Sequence, residues 1–135
     1  MIAVATLRGV LSALAVQFVT LVPLLGLVFL SLGTAGADWD DPAGRVSRTV
    51  VLLGIGALAA GIGAAVGAWQ AALGGAQSAR SAILAGASGP AAVAVLGGAV
   101  LATPSAAGIF GAVLEAIVVT AGAVAGAAAI GRRLE

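Results

Sequence analysis

The sequence has 135 residues, of which 61% are hydrophobic and 8% charged, with a net charge of +1 and neither cysteine nor histidine. Soluble domains carry about 25% charged residues, so this chain cannot clothe a water-facing surface, and the solvent that fits it is a lipid bilayer. The small net charge and the lack of a basic, aromatic-interleaved patch exclude nucleic-acid binding. The missing Cys and His exclude disulfides, zinc clusters, imidazole-ligated haem and Cys- or His-based nucleophilic catalysis.

The length allows one domain. All six basic residues are arginine, and Ala, Gly and Val dominate. That bias is the codon signature of a GC-rich genome, so the expected setting is a prokaryotic cell membrane. A helix needs about 20 apolar residues to cross roughly 30 Å of hydrocarbon, and four stretches qualify. The first is Gly9–Gly33, GVLSALAVQFVTLVPLLGLVFLSLG. Its apolar run exceeds the 7–15 residues of a signal-peptide core, so it reads as a retained span despite the small-residue motif Ala35-Gly36-Ala37. The second is Thr49–Leu73. The third, Ser81–Ala102, is interrupted by Ser88-Gly89-Pro90, which reads as a proline kink or, alternatively, as the break of a discontinuous helix. The fourth is Ser105–Gly131. The expected fold is therefore an all-α membrane protein, a four-transmembrane-helix bundle.

Loop charges predict the orientation. Arg8, Arg80, Arg132 and Arg133 fall on the amino-terminal side, and Arg45 and Arg48 on the other, beside Asp38, Asp40 and Asp41. By the positive-inside rule both termini are expected in the cytoplasm. Trp69 and Trp39 suit membrane interfaces. The outer loop, residues 34–48, reads as solvated, because its three aspartates lack the spacing of a calcium loop. No metal ligand set and no cofactor motif is expected. The connection around Thr103-Pro104 is short enough to make the last two spans an antiparallel hairpin, with Pro104 suited to a first helical turn.

The second span is patterned by small residues. Gly56, Ala60, Gly63, Gly67, Ala71 and Gly74 recur at steps of three or four along one face, and Gly63-Ala-Ala-Val-Gly67 is a GxxxG motif. Gly54, Ala57, Gly61, Ala64 and Ala68 make a second small face. In lipid, helices associate through close backbone approach, so this helix is expected at the centre of the bundle or at an oligomer contact. Packing is the preferred reading over a glycine-lined pore. The run GIGALAAGIG is not a phosphate loop, because it has no preceding strand and lies inside a span.

One carboxylate, Glu115, stands inside the fourth span, about 15 Å from Ser105 at the helical rise. Ionised and unpaired in hydrocarbon it would cost far more than the about 3.7 kcal/mol needed to protonate an ordinary Glu at pH 7. A proton or a cation is therefore expected to accompany it. Gly108, Gly111, Ala112, Val118, Val119 and Gly122 share its face, which predicts that Glu115 points into a helix contact. Gly108, Gly111 and Gly122 join Gly56, Gly63, Gly67 and Gly74 as expected packing positions. Gln17, Thr20 and Ser88 are the mid-span polar side chains on the other helices and the candidate hydrogen-bond partners.

The glycine-rich stretch LGIGALAAGIGAAVGAWQAALGGAQSAR together with the later VLEAIVV is similar to the proteolipid subunits of rotary ATPases. In those proteins a glycine-rich helix and an Arg-bearing loop precede a helix with one carboxylate. Here a whole extra span, Ser81–Ala102, separates Arg80 from Glu115, so the two-helix topology is not reproduced. Small multidrug transporters likewise have four spans and one membrane Glu, but in their first helix, where this chain has none. No residue is carried across from either family.

A lone carboxylate without a second titratable group does not make an acid–base enzyme, and none is expected. The leading expectation is an accessory or structural subunit of a larger membrane complex or homo-oligomer, with Glu115 fixing helix register. The alternative is a small proton- or cation-coupled transporter or channel subunit in which Glu115 titrates. A holin-like, membrane-permeabilising protein is a lesser reading from size and span count. The expected partners are the lipid bilayer and further membrane subunits.

Overall fold

The computed structural model describes residues 2–35, 42–76, 78–101 and 105–134. Four α-helices follow one another: α1 (Ile2–Ala35), α2 (Pro42–Leu73), α3 (Ala79–Leu101) and α4 (Ala106–Gly131), closed by a 3₁₀ turn, Arg132–Leu134. Each helix contains a stretch long and apolar enough to cross a bilayer: Val4–Val28, Val50–Leu73, Ala79–Val100 and Gly108–Gly131. Their mean hydropathies are 2.2, 2.2, 1.8 and 2.1. The protein is thus the expected four-helix, multi-pass membrane bundle.

The helices are longer than the apolar runs. α1 starts at Ile2, well before Gly9, and α2 starts at Pro42, so residues 42–48 of the expected outer loop are helical. Proline presets φ for a first turn, and Gly44, which follows it, does not interrupt the helix. Asp38, Trp39, Asp40, Asp41, Thr103 and Pro104, on which loop expectations fell, lie outside the described residues.

α3 runs unbroken through Ser88-Gly89-Pro90, which overturns the discontinuous-helix reading. Pro90 removes one in-helix donor, yet its ring is fully buried in the bundle. Neighbouring helices make such a proline tolerable at membrane depth.

The joint between α2 and α3 has a defined chemistry. Ala76 N–H donates to the Ala71 carbonyl (3.0 Å) and Gly75 N–H to Ala72 (3.1 Å), with Gly75 at φ +102°. These paired bonds around a left-handed residue form a Schellman cap. Ser78 then opens α3, its Oγ accepting from Ser81 N–H at 3.1 Å. Ser105 caps α4 in the same way, accepting from Gly108 N–H at 3.1 Å.

α2 packs against all three other helices, and α3 touches both α1 and α4, whereas α1 and α4 scarcely meet. α2 and α3 therefore form the short diagonal of the bundle. Among the described residues the buried apolar side chains are alanines, with Val119 and the Pro90 ring as exceptions. Large side chains point outward instead, Val100 at 80% exposure and Val19 at 73%. Lipid tails solvate large apolar groups as well as a protein core does, so small residues take the contacts.

Candidate functional site

The glycines divide the bundle into two unlike halves. At the end that carries Arg8, Arg80, Arg132 and Arg133, backbones touch. A Cβ on Gly67 would stand 2.6 Å from both the Gly9 carbonyl oxygen and Ala13 Cβ, and 3.0 Å from Gly86 Cα. One residue of α2 thereby locks against α1 and α3 together. A Cβ on Gly122 would stand 2.6 Å from the Ala57 carbonyl oxygen, and Gly126 lies directly against Gly61. Arg8 Nε also donates to Gln70 Oε1 at 2.8 Å, tying α1 to α2 at the same end.

Toward the other end the four helices leave a space between them, although α3 and α4 stay in contact where a Cβ on Gly98 would stand 3.4 Å from the Ala112 carbonyl oxygen. Gly26, Gly54, Gly97 and Gly111 each have open space where a Cβ would go. A Cβ on Gly111 meets nothing within 4 Å, contrary to its expected packing role, because Gly111 lies on a cavity wall. A Cβ on Gly56, Gly63, Gly67, Gly74 or Gly122 would meet a neighbouring helix. Gly108 faces the space between the helices.

That space is a cavity of about 630 Å³ walled by all four helices. α1 contributes Gln17, Leu21 and Leu25, one turn apart each. α2 contributes Leu52, Leu53 and Gly56, and α3 contributes Val93, Ala94, Gly97 and Gly98. α4 contributes Gly108, Gly111, Ala112, Leu114, Glu115 and Val119. Gly56 and Val119 close its floor: a Cβ on Gly56 would stand 3.2 Å from Val119 Cγ2. Glu115 lies one turn above Val119 on the same face of α4.

Glu115 therefore opens onto a cavity and is exposed in the isolated bundle. The expectation that it points into a helix contact is corrected. The small residues on its face do pack, at Val119 and Gly122, but the contact ends below the carboxylate. α4 and its neighbours separate there, so the same face that packs in one half lines a void in the other.

Gln17 is the second polar group of the cavity. The side chain is 6% exposed, and its Oε1 is buried without a hydrogen-bond partner. Gly63 makes room for it: a Cβ at 63 would stand 3.0 Å from Gln17 Cβ. A buried carboxamide oxygen left unsatisfied costs about 1–3 kcal/mol.

The other two candidate partners are not at this site. Ser88 is exposed, and its Oγ donates to the Ala85 carbonyl of its own helix at 3.4 Å. Its expected interhelical hydrogen bond is replaced by the back-bonding that serine makes within a helix. Thr20 is half-buried and is not part of the cavity wall. The spacing-based reading also missed Gly9, Gly86 and Gly126 as contacts. Gly122-Ala-Val-Ala-Gly126 is itself a GxxxG motif, so that signal was present in the sequence.

Charge is sparse here. Among the cavity-lining residues Glu115 alone is titratable, and among the described residues no three carboxylates gather as a metal site would need. Chemically, the arrangement offers one acid, one carboxamide and apolar walls. Comparison with protein-family models, curated protein sequences and solved structures found no match for the chain.

Proposed function

We propose that the protein is a small proton- or cation-handling membrane protein in which Glu115 is the titrating site. It would act as a transporter or channel component in a prokaryotic cell membrane, with both termini in the cytoplasm. One observation carries this reading: Glu115 opens onto a cavity within the membrane-spanning part of the bundle instead of being clamped between helices. A carboxyl that only fixed register would be enclosed and bonded to a neighbouring helix. A carboxyl at a cavity wall can exchange its proton. The closed, glycine-tight half beneath the cavity supports access to Glu115 from the opposite end.

Labelling with a hydrophobic carbodiimide tests this in liposomes, read at Glu115 by mass spectrometry across pH. The expected result is fast labelling of the protonated acid that declines as pH rises. Absence of labelling at every pH would overturn the reading.

A second reading, an accessory subunit of a larger complex or homo-oligomer, draws on a separate groove. Val95, Gly98, Ala99, Ile109, Ala112, Val113 and Ala116 line about 310 Å³ between α3 and α4 on the lipid-facing side. Small residues on such a face suit the close approach of another helix. Blue-native electrophoresis of native membranes discriminates: a discrete larger species dissociated by Ala112→Leu supports a subunit role for this groove.

A further inference from the structure

Arg8 stands where the bundle meets lipid. It lies within the apolar stretch Val4–Val28, about one turn from its end. Val4, Leu7 and Leu11 share its side of α1 and are exposed, whereas Ala5 and Gly9, beside that stripe, are buried. Arg8 thus sits at the edge of a lipid-facing stripe, next to the contact between α1 and α2. We infer that Arg8 is a binding site for the phosphodiester of an anionic phospholipid, with Gln70 holding its guanidinium in place. The inference is independent of Glu115 and of the cavity.

The side chain is positioned along its whole length. Helical side chains lean toward the N-terminus of their helix, so Arg8 leans toward the membrane surface at the arginine end. Gly74 of α2 leaves room for its stem: a Cβ there would stand 3.4 Å from Arg8 Cδ. Beyond the stem, Nε donates to Gln70 Oε1 at 2.8 Å. That bond fixes the plane of the guanidinium and leaves both Nη groups to a ligand. A phosphodiester presents a pair of unesterified oxygens, which such a fork binds bidentately. Trp69, next to Gln70 in the chain and exposed, is the aromatic residue of the same interface.

The anchor carries no charge, so the counter-charge must come from elsewhere. Glu115 is the sole carboxylate among the described residues, and it opens onto the cavity in the half away from Arg8. Arg80, Arg132 and Arg133, at the same end as Arg8, add only positive charge. Glu135 lies outside the described residues; it follows α4, and α1 and α4 scarcely meet. A cation on a lipid-facing helix end snorkels to the interface, where the abundant anions are lipid phosphates. Basic sites at that depth take anionic headgroups. A zwitterionic lipid brings the same phosphate, but its own ammonium competes with Arg8 for it. The acidic class is therefore the one selected.

The test titrates the full chain in detergent micelles with phosphatidylglycerol or phosphatidylcholine of matched chains, read by native mass spectrometry. One phosphatidylglycerol is expected to be retained about fivefold more tightly than phosphatidylcholine. Arg8→Gln should abolish that preference, and Arg8→Lys, which keeps the charge without the fork, should retain part of it. Gln70→Leu leaves Arg8 in place and should also weaken binding, which separates a lost anchor from a lost charge. Glu135→Gln should leave the dependence on Arg8 intact, and soluble glycerol phosphate should not displace the lipid. Thermal melts in the same micelles give a second readout, because a ligand of the folded state raises Tm. Phosphatidylglycerol should raise Tm in the wild type and not in Arg8→Gln. Wild-type preference in Arg8→Gln would overturn the inference. Equal losses in Arg8→Gln, Arg80→Gln and Arg133→Gln would do the same, since the effect would then be diffuse charge. So would unchanged binding in Gln70→Leu, loss of the Arg8 dependence in Glu135→Gln, or displacement by glycerol phosphate.

Discussion

Gln17 and Glu115 are the residues at which stability and use diverge. Gln17 holds a buried, unpartnered oxygen, so Gln17→Leu is expected to raise the unfolding free energy by about 1–3 kcal/mol, measured by denaturation in mixed micelles. A decrease would mean that Gln17 is bonded within the bundle. The glycines make a sharper pair. A Cβ at Gly67 overlaps backbone and side chain at 2.6 Å, while a Cβ at Gly54 meets nothing within 4 Å. Gly67→Ala is therefore expected to destabilise by about 1–3 kcal/mol through overpacking. Gly54→Ala should be neutral or gain about 0.5–1 kcal/mol from reduced chain entropy. Both glycines are alike in composition and both sit on small-residue faces. Gly67 faces α1 and α3 whereas Gly54 faces away from every neighbour, and that difference sets the sign.

At the scale of elements, the ends are specified locally and the middles are not. Ser105 and Ser78 cap α4 and α3, and Gly75 ends the α2 joint at φ +102°. Gly75→Ala places a Cβ in the left-handed region and is expected to cost about 1–2 kcal/mol, whereas Ser105→Ala should cost about 1 kcal/mol as a lost cap. Thermal melts in detergent of the two single variants check both values. Continuity of α3 through Pro90 is a different case. The sequence pattern Ser-Gly-Pro carries break and helix readings alike, and burial of the ring by neighbouring helices selects the helix. A local rule cannot see that cover.

The whole molecule is a bundle closed at its arginine end and open at the other. Backbone contacts through Gly9, Gly67, Gly86, Gly122 and Gly126 hold the closed half. The open half lacks such contacts at Gly97 and Gly111, which line the cavity. The absence of native cysteine makes this asymmetry directly testable. Single cysteines at Gly97 and Gly111 are expected to react with a small thiol reagent. A cysteine at Gly86 should either stay unreactive or prevent assembly, since its Cβ runs into the α2 backbone at Ala64 and Ala68. Equal reactivity at all three sites would refute the division into halves.

The membrane setting, the helix count, the central place of α2 and the identity of the suspect carboxylate were legible in the sequence. Each follows from a quantity that is additive or periodic along the chain: hydropathy over 20 residues, small residues every third or fourth position, one acid in an apolar run. The environment of that acid was not legible. Val119 and Gly122, which pack, and Glu115 and Gly111, which do not, share one face of one helix and obey one spacing. Whether such a face meets a neighbour or a void depends on how far two helices have diverged at that height. Divergence is set by the summed contacts of four helices, here the glycine locks at the arginine end. The pairing of Glu115 with Gln17 in one cavity, and the exclusion of Ser88 and Thr20 from it, were decided by that tertiary geometry alone.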